Sequence, residues 1–233
     1  MSASTEPIRH DDDARWLNAG TLVGYLTVLV VGVGVGLFPE VVYHRVDVEP
    51  TAPLALLRAL LIGQLGFFLL IWPALLAGRP ALCPLRAIAE GGALLLISAP
   101  VYVMSHFLSD ASLSDITRSL LTVLAVVPLG LIASQYVVRW KASIPTVTLT
   151  LLLLTLGYPP IVYILREFVI TTRGIPEWVG LFGPFTFAWR QTDRYIDSPW
   201  PVPATIILAW IGIAFLGLMV LWIVSPRKSE TRS

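Results

Sequence analysis

Six apolar runs, each about as long as the oily layer of a membrane is thick, leave this chain few ways to fold. A helix that crosses that layer needs about 20 mostly apolar residues. The runs cover residues 17–38, 54–77, 85–107, 116–137, 145–165 and 202–224. In lipid a spanning segment must satisfy its own backbone, and these runs are far too long for barrel strands, so they read as helices. Charged residues make up only 13% of the chain, whereas a soluble domain carries roughly 25%. The expected fold is therefore an all-α integral membrane protein. It has six transmembrane helices and a long extracytoplasmic segment, 166–201, between helices five and six.

The expected organisation has three parts. Residues 1–16 form a cytoplasmic tail and interfacial lead-in, 17–224 the six-helix domain, and 225–233 a cytoplasmic tail. The first residues are polar and acidic, with Asp11-Asp12-Asp13, and show no basic stretch ahead of an apolar one. The first run is thus expected to serve as its own insertion signal. Arg79 and Arg86 flank one short connection, Arg139 and Lys141 another, and Arg227, Lys228 and Arg232 follow the last run. Basic residues favour the cytoplasmic side, which puts both termini there, in a cell inner (plasma) membrane.

Several function classes lose support. The net charge of +1 provides no basic field for nucleic acid. Cys83 is the only cysteine, and the histidines His10, His44 and His106 are far apart in sequence. A haem held between spans needs axial ligands inside them, and His106, at a span end, is the one candidate. No cofactor and no metal is expected in this chain. Nucleophile-elbow, zincin and phosphate-loop motifs are all missing, so a catalytic activity of its own is not expected.

The candidate functional residues are those that lipid would not choose. Glu90 is the one acid well inside a run, and Arg86 lies four residues earlier on the same helical face. It reads as an interfacial ion pair or as a proton or substrate contact. Gln64 and Gln135 could line a polar path or hydrogen-bond to neighbouring helices. Gly20, Gly24, Gly32, Gly34 and Gly36 favour close helix packing within the chain. Pro73, Pro100, Pro128 and Pro159-Pro160 interrupt runs two to five. The 166–201 segment carries Trp178, Phe185, Trp189 and Trp200, residues suited to an external gate or docking surface at the membrane interface. Short helices are expected at 176–182 and 184–195, each with proline at its start.

This layout resembles the membrane (permease) subunits of ABC transporters in the type-two exporter class. The resemblance is carried by six spans, a polar lead-in at 11–16, a short basic turn from Arg79 to Arg86, and the 166–201 segment with its Gly183-Pro184-Phe185 and Trp189. It implies short re-entrant helices ahead of the last span and an elbow helix at the lead-in. It also implies a contact for a separate ATPase subunit at Arg79, Arg86 and Glu90. The function so implied is the permease half of an ATP-driven exporter, assembled as a homo- or hetero-oligomer in lipid. The alternative is a cofactor-free structural subunit of a larger respiratory or photosynthetic membrane complex. A third class, a lipid-acting membrane enzyme, would draw on Glu90 or His106.

Overall fold

The computed structural model describes residues 17–43, 54–79, 84–109, 111–140, 143–164, 183–192 and 201–224, and their regular structure is entirely helical. Helix α1 is Ala19–Tyr43, started by Asn18, whose side-chain oxygen accepts from the Gly20 N–H at 2.7 Å. Helix α2, Ala55–Gly66, passes through a π-helical turn at Phe67–Ile71 into α3, Trp72–Ala77. Pro73 explains the turn. Its nitrogen carries no hydrogen, and its ring crowds the Leu69 carbonyl four residues back. The ladder slips by one residue, and the Trp72 N–H bonds to the Phe67 carbonyl five residues back.

Helix α4 is Pro84–Leu108 and α5 is Leu113–Trp140. They run through Pro100 and Pro128 without breaking. The turn between them is held at two points. His106 Nδ1 donates to the Ala111 carbonyl at 2.6 Å. Ser112 and Asp115 form a reciprocal cap, with the Asp115 N–H on Ser112 Oγ at 3.2 Å and the Ser112 N–H on Asp115 Oδ2 at 3.0 Å. Helices α6 (Ile144–Leu156), α7 (Tyr158–Ile164), α8 (Pro184–Gln191) and α9 (Pro201–Val224) complete the described chain.

Four helical segments among the described residues are long and apolar enough to cross a membrane, not six. They are Ala19–Phe38, Ala55–Ala77, Leu85–Leu108 and Leu113–Val137, matching the first four apolar runs. The fifth run fails for a local reason. Pro159 and Pro160 deprive the Thr155 and Leu156 carbonyls of their helical donors. The helix ends at Gly157, and α6 is left with 13 residues, roughly 20 Å at 1.5 Å per residue. The apolar helical stretches found beyond these four among the described residues, Ile144–Leu153 and Thr205–Val220, are shorter than a span.

The core forms where small residues let backbones meet. A Cβ on Gly36 would lie 2.5 Å from the Leu56 Cα, and one on Gly32 would lie 3.4 Å from a Leu60 methyl. The glycines of α1 therefore seat α2 of the same chain. Gly34, between them, faces open space. Beside this crossing runs an edge-to-face aromatic series: Tyr25–Phe67 at 5.0 Å, Phe67–Phe68 at 5.4 Å and Phe68–Trp72 at 5.5 Å. On α5, Gly130 makes room for the π-turn; a Cβ there would lie 2.2 Å from the Phe68 carbonyl oxygen.

Candidate functional site

The unusual residues gather at three depths of the bundle. At one end stand the start of α1, the end of α3 and the start of α4. Here Arg79 Nη1 pairs with Glu90 Oε2 at 2.9 Å, and Arg79 Nη2 donates to Thr21 Oγ1. The Glu90 side chain is 1% exposed and that of Arg79 20%. Glu90 thus meets Arg79 across the turn from the preceding helix, and Glu90 Oε1 is buried with no hydrogen-bond partner. Arg79, Glu90 and Arg86 lie at this end of the bundle, and Glu90 itself is sealed from the surface. His106 lies 16 residues along α4 from Glu90, about 24 Å away at 1.5 Å per residue. The two cannot act on one bond.

At mid-depth, Gln64 Nε2 donates to the Tyr25 hydroxyl at 2.8 Å, and the Tyr102 hydroxyl donates to Gln64 Oε1 at 2.9 Å. All three side chains are fully buried, and they tie α1, α2 and α4 together. Gln64 is held at both ends of its amide by neighbouring helices. Gln135 sits half-buried toward the end of α5, away from this network.

At the far end lies α8. Its inner end reaches Gly66, where an added Cβ would stand 4.0 Å from the Phe185 ring, and Gly66 is the middle residue of the Ala55–Ala77 span. Its outer end reaches Arg58, which donates from Nε to Thr192 Oγ1 at 2.8 Å and from Nη2 to the Thr192 carbonyl at 3.0 Å. Arg58 also stacks on the Trp189 ring, 4.2 Å from its centre. Eight helical residues span about 12 Å, and so do the eight steps from Gly66 back to Arg58. The helix is a half-depth piece lying antiparallel to α2. Phe187 packs on Trp210 of α9 at 5.0 Å, and Thr122 of α5 donates to Gln191 Oε1 at 3.0 Å.

The expected helix at 184–195 is therefore present as Pro184–Gln191, with Phe185 and Trp189 on it. The expected helix at 176–182, Trp178, Trp200, the lead-in at 11–16 and the tail at 225–233 lie outside the described residues. The sequence reading missed Arg58, Tyr25 and Tyr102. Arg58 was visible as a cation only four residues into an apolar run, a position that demands a partner. Among the described residues no group of three or more metal-ligating side chains comes together. Comparison with protein-family models, curated proteins and solved structures returned no match. What the fold and the composition establish is an all-α, multi-pass membrane protein.

Proposed function

We propose that this chain is the permease subunit of an ATP-driven exporter, working with a separate ATPase subunit in the cell inner membrane. The observation that supports it is α8, a helix that reaches from one end of the bundle only to mid-depth and packs against α2, α5 and α9 ahead of the last helix. A piece of that kind forms a plug over one end of a bundle without crossing it. The Arg79 end is taken as cytoplasmic and would receive the ATPase, and α8 would then close the opposite side. ATP binding on the partner would shift the population between arrangements open to either side. Two chains, or one chain and a relative, would share the pathway.

The test is purification of the tagged full chain in a mild detergent, with mass spectrometry of what accompanies it. A soluble ATPase whose activity depends on this chain is the expected result. Haem or pigment proteins in fixed ratio, with no ATPase, would refute the exporter and make the chain a structural subunit of a larger complex.

A further inference from the structure

Two interruptions of the helical backbone meet at mid-depth. One is the break between α6 and α7 at Gly157, where Pro159 and Pro160 leave the Thr155 and Leu156 carbonyls without helical donors. The other is the inner end of α8, where a Cβ on Gly183 would lie 2.8 Å from the Tyr158 ring. Between these breaks, α5 and α9 lies a cavity of about 710 Å³. Thr155, Tyr158, Gly183 and Pro184 line its deep end, and Tyr136 and Thr146 line the end beside the α5–α6 connection. From Thr146 to Thr155 it follows nine residues of helix, about 14 Å. The walls are mostly apolar, with Leu69 of the π-turn and Trp210 of α9 among them. Hydroxyls interrupt them, and among the described residues no charged side chain lines the space.

We propose that this cavity binds an uncharged, mostly apolar small molecule that donates hydrogen bonds to its wall. The size fits, since pockets for such ligands measure about 300–1,000 Å³. The charge fits, since an ion would leave water for a wall that offers it no counter-charge. The polarity follows from where the threonine protons go. Thr150 Oγ1 donates to the Thr146 carbonyl at 2.8 Å, and Thr155 Oγ1 to the Leu151 carbonyl at 2.7 Å. Each hydroxyl proton is spent within its own helix, so these oxygens have lone pairs left to offer. The Thr155 carbonyl, cut off from its helical donor by Pro159, is a further acceptor. A lipid acyl chain has no donor to give them. The backbone fits as well: non-helical chain at membrane depth is tolerated where it lines a cavity, and carriers build their sites from helices that break off near the midplane. Binding itself needs no ATPase. As the place where cargo is loaded, the site rests on the exporter reading, because the cavity extends toward the end where α3 and α5 stop and α8 closes it toward the other.

The test is equilibrium binding of radiolabelled bisphenol A to the full chain in lipid nanodiscs, with empty nanodiscs as the blank. This probe is neutral, mostly apolar and carries a hydroxyl at each end. Saturable binding above the blank is expected. Its dimethyl ether keeps the shape and loses the donors, and is expected to compete about tenfold less well, the scale of one or two net hydrogen bonds. Diphenolic acid, the carboxylate analogue, is expected not to compete. Thr155→Val removes an acceptor and keeps the shape, and is expected to weaken bisphenol A about fivefold while leaving the ether unchanged. Thr150→Val repeats that test at an exposed position, where folding is not at stake. Ala133→Leu fills the cavity from a half-buried position and is expected to abolish saturable binding. Equal competition by the ether would make the cavity a slot for lipid chains and overturn the proposal. Competition by diphenolic acid, or binding unchanged in Ala133→Leu or in both threonine variants, would do the same. Absence of saturable binding in a chain that recruits an ATPase would remove the site and leave the exporter. Saturable binding in a chain that recruits none would leave the site and remove only its part in export.

Discussion

Glycine to alanine at three helical positions should give stability changes of opposite sign, and the structure says which is which. Gly130→Ala places a methyl 2.2 Å from the Phe68 carbonyl oxygen and 3.2 Å from the Trp72 ring. Both neighbours are stiff: one is backbone in the π-turn, the other a fully buried indole. Reaching ordinary contact requires a displacement of about 1 Å between α5 and the turn, and overpacking of this kind costs about 1–3 kcal/mol. Gly36→Ala meets the Leu56 Cα at 2.5 Å and presses α1 off α2 in the same way. Gly34→Ala meets nothing within 4 Å. It gains only the helical preference of alanine over glycine, up to about 1 kcal/mol, and that gain also offsets part of the cost at the other two sites. The expected net effects are losses of about 1–2 kcal/mol for Gly130→Ala and Gly36→Ala, and zero to about 1 kcal/mol of stabilisation for Gly34→Ala. Thermal unfolding of the detergent-solubilised protein reads this directly, at roughly 2–4 °C per kcal/mol for a chain of this size. Equal melting temperatures for Gly34→Ala and Gly36→Ala would refute the claim that α1 seats α2 through one face. An unperturbed Gly130→Ala would refute the fit between α5 and the π-turn.

The Arg79–Glu90 pair should respond asymmetrically. Arg79→Ala strands a carboxylate that is 1% exposed and should cost about 3 kcal/mol, whereas Glu90→Gln leaves a partly exposed arginine still bonded to Thr21 and should cost about 1 kcal/mol. Equal melting-point losses would show that the two charges are not buried as described. In a Cys83→Ser background, Ser112→Cys should react with an impermeant thiol reagent added outside intact cells. Ser143→Cys, at the start of α6, should react only after lysis, and the reverse pattern would invert the orientation.

What the sequence disclosed, and what it hid, follows the range of the interactions. The first four spans were legible because length and apolar content are summed over a whole helix, and no distant contact changes that sum. The fifth was misread although its cause, Pro159-Pro160, stood in plain view. Apolar content does not register a missing backbone donor. Arg86 was assigned to Glu90 because helical spacing is the only neighbour rule a single helix offers. Arg79 reaches Glu90 from 11 residues away in the sequence, a separation that no helical spacing rule covers. Arg58 and Thr192 are 134 residues apart, and no periodicity connects them. The two tyrosines that hold Gln64 come from α1 and α4 and were just as invisible.

A helix that ends at mid-depth poses a problem that a spanning helix does not, because its unpaired terminal groups lie away from bulk water. The sequence around α8 eases it at both ends. At the inner end the first residue is Pro184, which has no N–H to satisfy and so removes one of the orphan donors. At the outer end the Thr192 hydroxyl donates back to the Ala188 carbonyl at 2.9 Å, and the Thr192 carbonyl itself accepts from Arg58. A cation at a helix C-terminus also meets the negative end of the helix dipole, which favours it by up to about 1 kcal/mol at an exposed site. This explains how an arginine can stand inside an apolar run. Arg58 and α8 stabilise one another, since the helix gives the charge a place and the charge gives the helix an end.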